Sequence, residues 1–553
     1  MSAMADWHTT VTPPALARLL ATARLPEPAT RRRPAYRTLA GQIRLLVTEG
    51  RLPVGARLPA ERELASALEL SRTTVATAYE TLRGDGYLLS RRGAGSWTTL
   101  PEGAPPPSDA LHPVPPDEQG STLDLGVAAL PAPQPWIGQA AARAVELLPH
   151  YAAGHGHYPT GVPVLREAVA RRYTERGLPT TPDQVLITTG AMGGLHLVQR
   201  VLIGRGDRVA VEAPSYAHTL QALRLTGARL VPVPYAWGPQ ARAGESRRAG
   251  ESRPEPKGRA GAESDERQAT KERRSEERRH RVRAPRRRAG ESQWDLEEWQ
   301  RVLRGAAPKV AYVIPDFHNP TGALIDEEQR RELLAAARAA GSIVLVDETT
   351  AELGWGVPQS TPLPRPMAAL DRAAQVVTVG SAGKLLWGGL RIGWVRAAPA
   401  LVRRLATERV YSDVGTPVLD QLIAAELMGE PLQAVRAHQL DRLRATAHAF
   451  AAALPGHLPG WDFPMPLGGL ALWVSTGGLS GAALAQAGER AGIRIASGNR
   501  FGSDGAFEHH IRLPLTVPAA AVPAAVERLA AVAARAAAGG RLGSADGAQP
   551  LAV

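Results

Sequence analysis

Between residues 185 and 379 the chain repeats one pattern, a short apolar run followed by a longer stretch with helical spacing. The apolar runs are VLIT (185–188), RVAVE (208–212), RLVPV (229–233), VAYVI (310–314), IVLV (343–346) and VVTV (376–379). Runs this short are strand-length, and their alternation with helices predicts a mostly parallel sheet wrapped on both faces. Two further runs, LALWV (470–474) and HIRL (510–513), fall in a helix-rich section from about 397 to 537, which reads as a smaller α/β lobe.

The 553 residues exceed one core, so several domains are expected. With no cysteine, disulfides, thiolate metal sites and cysteine nucleophiles are excluded, which fits a reducing cytoplasm. No signal-type or membrane-length apolar run is present. The net charge of +12 is unevenly spread. Residues 30–100 carry 12 arginines against 6 acids, and residues 240–292 carry 17 basic against 10 acidic side chains. A near-neutral body with a basic module at one end suits a nucleic-acid partner.

That module, 30–100, reads as three helices and a hairpin. Leu39, Ile43, Leu46 and Val47 mark one helix; a second fits 60–68; Ser71 caps a third over 72–83; and 87–98 forms a two-stranded hairpin. This is the order of a winged helix-turn-helix. Residues 101–121 follow as a proline-rich linker, and 122–537 form the second body. Within it, 240–292 repeats RAGES three times and is short of aliphatic and aromatic side chains, so disorder is expected. It reads as a tolerated surface insertion or, alternatively, as a second electrostatic contact with DNA. The tail 538–553 is expected to be loose.

The run LPAERELASALELSRTTVATAYETLRGDGYLLSRRGAG (58–95) resembles the GntR-type winged helix-turn-helix. Arg62 falls on the helix that crosses the phosphate backbone, and Ser71, Arg72, Thr73 and Thr74 open the groove-reading helix. Arg91, Arg92 and Gly93 fall at the wing tip. Arginine can pair with guanine and hydroxyls with bases or phosphates. Ala76 stands where some relatives carry another arginine.

The second body carries a set of residue types that pyridoxal 5'-phosphate requires, in a fixed order. ITTGAMGGLHLV (187–198) offers the amides of Gly190, Ala191 and Met192 as a phosphate cradle. EAPSYAHTL (212–220) places Tyr216 to stack on the ring. IPDFHNPTG (314–322) gives Asn319 for the ring oxygen. LVDETTAEL (345–353) puts Asp347 at a strand end for the pyridine nitrogen. VGSAGKLLWGGLRIGW (379–394) supplies Lys384 for the imine, with Ser381 and Arg391 for the phosphate. HHIRLP (509–514) supplies Arg512 for a ligand carboxylate. Together with GHYPTGVPVLREAVARRY (156–173), these motifs resemble the fold-type I, class I aminotransferase family over 122–537.

Joined to the winged helix, the whole resembles the MocR subfamily of GntR regulators. That resemblance implies a head-to-tail homodimer that binds a double-stranded DNA operator and senses pyridoxal phosphate or its adduct with an amino acid or amine. The alternative is an aminotransferase with an appended DNA-binding domain. Thr349 stands where many relatives carry tyrosine and Gly383 where serine or threonine is usual; both changes weigh against efficient transamination more than against cofactor binding. His155 and His157 lack acid or thiol companions, so no metal site is expected. Trp294 and Trp299 read as core anchors beside the insertion, and Glu348 and Glu352 as helix-surface or dimer-contact residues.

Overall fold

The computed structural model describes residues 10–22, 34–48, 52–91, 95–101, 115, 117, 120, 122–235, 294–358, 360–502 and 506–539. Most of the linker, all of 240–292 and the tail beyond 539 lie outside the described residues, as do Arg92 and Gly93.

The head is built from helices α1 (Pro13–Thr22), α2 (Ala35–Thr48), α3 (Glu61–Leu68) and α4 (Arg72–Gly84). Strands β1 (Arg57–Leu58), β2 (Leu88–Arg91) and β3 (Gly95–Thr98) form an antiparallel sheet in the order β1-β3-β2. The expected stripe of α2 is the buried one: Leu39, Ile43, Leu46 and Val47 share a core with Leu64, Val75, Tyr79 and Leu82. The Tyr79 hydroxyl donates to the Pro59 carbonyl at 3.0 Å, tying α4 to the approach of α3. Helix α1 lies upstream of residue 30, outside the expected module. Leu16 and Leu20 nevertheless enter the same core, and the Val11 N–H donates to the Arg57 carbonyl at 3.0 Å.

The larger body has a seven-stranded sheet: β5 (Val185–Thr189), β6 (Arg208–Ala213), β7 (Arg229–Pro234), β8 (Val310–Val313), β9 (Ile343–Asp347), β10 (Val376–Ser381) and β11 (Ile392–Arg396). Their order is β5-β11-β10-β9-β8-β6-β7. All neighbours pair in parallel except β11, which runs antiparallel to both β5 and β10. The strand β11 is not among the expected ones. Its sequence, IGWVR, offers a glycine and an arginine where a buried strand ordinarily reads as unbroken apolar residues, yet every one of its residues is buried.

A second sheet has the order β12-β14-β13-β4, from β4 (Leu123–Leu125), β12 (Ala471–Ser475), β13 (Ile493–Ser497) and β14 (His510–Pro514). The smaller lobe is therefore not confined to the section from 397 onward. Strand β4, some 370 residues earlier in the chain, pairs in parallel with β13, and Asp124 accepts from Arg494 at 3.2 Å. Among the described residues no helix is long and apolar enough to cross a membrane.

Truncating Leu16 tests whether α1 belongs to the head. Leu16→Ala removes a fully buried side chain and should cost about 2–5 kcal/mol of head stability. Hydrogen exchange should speed up across 35–98 while the seven-stranded sheet keeps its protection.

Candidate cofactor and DNA sites

The C-terminal ends of β5, β9 and β10 lie at one edge of the sheet, and because β11 is antiparallel its start lies there too. At the end of β5 the chain turns into the helix Gly190–Leu202. Gly190 has φ +68°, a conformation that glycine adopts without strain. A Cβ on it would sit 2.7 Å from Nη2 of Arg391, so the guanidinium lies directly on the turn. A Cβ on Gly393 would lie 2.4 Å from the Gly190 carbonyl carbon, which only glycine tolerates. The open amides of Gly190, Ala191 and Met192 and the Arg391 cation thus meet at one point. Among the described residues Arg391 pairs with no carboxylate. Two sources of positive potential without an acid form an anion cradle.

Lys384 lies in the loop between β10 and β11, and its Nζ donates to the Ala128 carbonyl at 3.1 Å. Burial first, and then the Arg512 and Arg391 cations, together lower its pKa from 10.5 to about 8 against the opposing pull of Asp347. The same three groups act on Tyr216, whose phenol is pushed up to about 12, chiefly by burial. Asp347, Arg391 and Arg512 thus lie within electrostatic reach of both Lys384 and Tyr216. Tyr216 is steadied by a 2.7 Å bond between its hydroxyl and His218 Nδ1.

Asp347 ends β9 and is buried. Its Oδ1 accepts the Thr349 N–H at 2.9 Å, and its Oδ2 accepts the Tyr312 hydroxyl at 2.8 Å. Arg512, on β14, is 3% exposed, lies 5.1 Å over the Phe501 ring and donates to the Gly126 carbonyl. Burial lowers its pKa to about 10. Asn319 is half-buried, and its Oδ1 is enclosed with no partner among the described residues. Ser381 accepts the Gly383 N–H at 2.9 Å and borders a polar cleft with Thr349, Glu348 and Trp394.

The expected pyridoxal phosphate fits this arrangement. The glycine turn under Arg391 provides charge for a phosphate, and the lysine is held less basic than usual. The helix-surface reading needs correcting for Glu348, which is buried, while Glu352 is half-buried. Glu348 is buried and pairs with Arg176 at 2.9 Å, and Glu352 pairs with Arg172. Burial raises the Glu348 pKa against the pull of Arg176.

Trp294 and Trp299 are both buried, 5.5 Å apart, and Trp294 Nε1 donates to Glu212 at 3.0 Å. His155 and His157 are exposed neighbours, and no group of three or more metal-type ligands occurs among the described residues. Three polar residues of the body, Tyr312, Thr219 and Glu212, carry no signal in the sequence. Each sits on a strand or helix whose neighbour is fixed only by sheet order.

In the head, Ser71 is the N-cap of α4 and accepts the Thr74 N–H at 3.0 Å, with hydroxyl contacts to Thr73 at 3.0 Å and Thr74 at 2.7 Å. Arg72 and Thr73 stand exposed at the helix start, and Arg72 lies 4.0 Å from Glu61. Arg62 is exposed on α3. Arg91 closes β2 opposite Gly95 at the base of the wing.

A family model described as aminotransferase class I and II matches residues 139–244 and 276–529, and one described as bacterial regulatory proteins, gntR family, matches residues 35–97. The chain is 27% identical over 451 residues to the probable rhizopine catabolism regulatory protein MocR of Rhizobium meliloti, covering 77% of this chain and 78% of that one. It is 27% identical over 405 residues to the HTH-type transcriptional regulator TauR of Rhodobacter capsulatus, covering 66% and 68%. Among solved structures, LysN, the alpha-aminoadipate aminotransferase of Thermus thermophilus complexed with N-(5'-phosphopyridoxyl)-L-leucine, is similar with a TM-score of 0.59 at 26% identity, covering 76% of this chain and 94% of that one.

The lowered Lys384 pKa has a kinetic signature, because only the neutral amine attacks an aldehyde. Uptake of pyridoxal phosphate by cofactor-free protein should accelerate with rising pH through a midpoint of about 8. Stopped-flow absorbance measures this, and a midpoint near the ordinary 10.5 would contradict the burial argument.

Proposed function

The chain belongs to the class I and II aminotransferase family and, through its gntR-type head, to the MocR-type GntR regulators, and from that premise we propose how this regulator of the pyridoxal-phosphate type works. The proposed head extends from Thr10 to about Pro101, and the aminotransferase-like body from about residue 122 to 537. The observation that supports the reading is the Arg391 guanidinium lying on the Gly190 turn, within electrostatic reach of a buried lysine, in a chain that also presents a capped, exposed helix start at Arg72.

Bound pyridoxal phosphate supplies an electrophilic aldehyde and an electron-withdrawing ring. Lys384 would hold it covalently. Asp347 would accept the pyridine N–H, Asn319 would donate to the ring oxygen, and Tyr216 would stack on the ring. The amides of Gly190 to Met192, with Ser381 and Arg391, would take the phosphate. Arg512 binds the carboxylate of an amino-acid ligand by two parallel bonds. A ligand with different affinity for two arrangements of the body shifts their populations. In a head-to-tail homodimer that shift repositions two heads on paired half-sites of double-stranded DNA. Arg62, Ser71, Arg72, Thr73, Thr74 and Arg91 face the operator, together with Arg92 and Gly93. In this role Ser71 also caps its helix, its oxygen accepting the Thr74 N–H.

Aminotransferase chemistry is the second reading, favoured by Arg512 and Asn319. Rapid, specific conversion of the cofactor to its amine form by one amino acid would favour it. The regulator reading expects slow conversion and a ligand-dependent change in operator affinity.

Purified protein should take up pyridoxal phosphate with an absorbance band that Lys384→Ala abolishes. Absence of the band from wild type would overturn the cofactor assignment. On the DNA side, Arg72→Ala should weaken specific operator binding by about 1–3 kcal/mol. Equal affinity of the two proteins in a salt-controlled titration would overturn the assignment of α4 as the reading helix.

A further inference from the structure

We infer that Tyr312 is a positioning residue for Asp347, and that Thr219, Tyr312 and Asp347 form one directed hydrogen-bond chain that aims the carboxylate at the cofactor ring. The inference rests on the reading that Asp347 faces the pyridine nitrogen.

The chain follows from sheet order. Strand β8 lies beside β9 in parallel, with Tyr312 in register with Leu345, two residues before Asp347. The Tyr312 ring, fully buried, reaches forward along the neighbouring strand, and its oxygen lies 2.8 Å from Asp347 Oδ2 and 3.3 Å from Thr219 Oγ1. A phenol has one proton. The shorter contact, to a carboxylate that can only accept, takes it. The Thr219 hydroxyl, also fully buried, then donates back to the phenol oxygen. The order of donation is therefore Thr219 to Tyr312 to Asp347. Burial and the Asp347 and Glu212 carboxylates push the Tyr312 phenol well above its ordinary range, so it remains a donor throughout the neutral range.

A buried tyrosine needs one partner for its hydroxyl, and Thr219 alone would serve. The bond to Asp347 does more. Asp347 Oδ1 is held by Thr349 N–H within its own loop, and Oδ2 by Tyr312 from the next strand. Two donors from different elements fix the carboxylate plane and stabilise its charge. A carboxylate has about four acceptor sites, so capacity remains for a pyridinium N–H. Preorganisation of this kind, set by a supporting shell, is what lets a charged acceptor bind without first rearranging.

Full-length Tyr312→Phe keeps the ring and removes the hydroxyl. Its affinity for pyridoxal phosphate should fall about ten-fold, the loss expected for one hydrogen bond to a charged group. The absorbance band of the lysine-bound cofactor should also shift its pH midpoint upward, by about half a unit, because a less securely protonated ring withdraws less charge. Thr219→Val, which leaves the phenol in place but removes its donor, should move both readouts the same way by less, and covers the case in which Tyr312→Phe does not fold. A lowered melting temperature with unchanged affinity and band midpoint means Tyr312 only fills space, and overturns the inference. Wild type that takes up no cofactor overturns both this inference and the cofactor assignment. Wild type that does, with both variants matching it, overturns the Tyr312 assignment alone.

Discussion

A single antiparallel strand determines where the chemistry of the larger body can be. If β11 ran parallel to its neighbours, the loop carrying Lys384 would have to cross to the far edge of the sheet, and Arg391 would open β11 there. Because β11 is antiparallel to β5 and β10, the connection from β10 stays at the edge where β5, β9 and β10 end. Lys384 and Arg391 are thereby delivered to the same edge as Gly190 and Asp347. The cost is steric. The start of β11 and the turn after β5 press together so closely that Gly393 and Gly190 have no room for side chains, the former against backbone and the latter against the Arg391 guanidinium. The closeness that excludes a side chain is what lets a cation lie on the open end of a helix.

The second sheet completes the same edge from the other side. Arg512 is on β14, and its guanidinium is anchored on the carbonyl of Gly126, just beyond β4. Lys384 is anchored on Ala128 in the same short segment, and Thr516 on Val127 at 3.3 Å. The stretch from Leu123 to Ala128 thus belongs to the smaller lobe by pairing and to the candidate site by contact. Its pairing with β13 is a long-range closure that makes the site depend on both ends of the body.

Much of this was legible in the chain and the remainder was hidden for identifiable reasons. Strands β6, β8, β9 and β10 were readable because buried parallel strands are nearly unbroken apolar runs. The motif residues were readable because glycine, lysine and aspartate at strand ends have few other reasons to recur in that order. Strand β11 was not, since Gly393 and Arg396 break its pattern and Trp394 reads equally well as loop. The three-residue β4 was too short to carry a period. Helix α1 opens on Pro13 and Pro14, upstream of the module expected at 30–100. Glu348 and Glu352 looked like surface acids because their arginine partners, Arg176 and Arg172, are some 170 to 180 residues away in sequence. Tyr312 looked like any core aromatic until the order β9-β8-β6 set it beside Asp347.

The described residues on either side of the charged stretch 240–292 meet at the buried carboxylate of Glu212. Tyr235, the last described residue before the stretch, donates to Glu212 Oε1 at 3.3 Å, and Trp294, the first after it, donates to the same oxygen at 3.0 Å. Glu212 Oε2 accepts the Ile314 N–H at 2.9 Å and lies 3.2 Å from His318 Nε2. The chain therefore leaves and re-enters at one clamped point that is itself fixed to the end of β8 and to the residue before Asn319. Once two ends are held together, the entropy of closing the loop between them rises only with the logarithm of its length, about 0.6 kcal/mol for each doubling. A clamp made of one phenol and one indole donor on a single carboxylate thus holds Tyr235 and Trp294 together beside the strand end that leads to Asn319, whatever the length of chain between them.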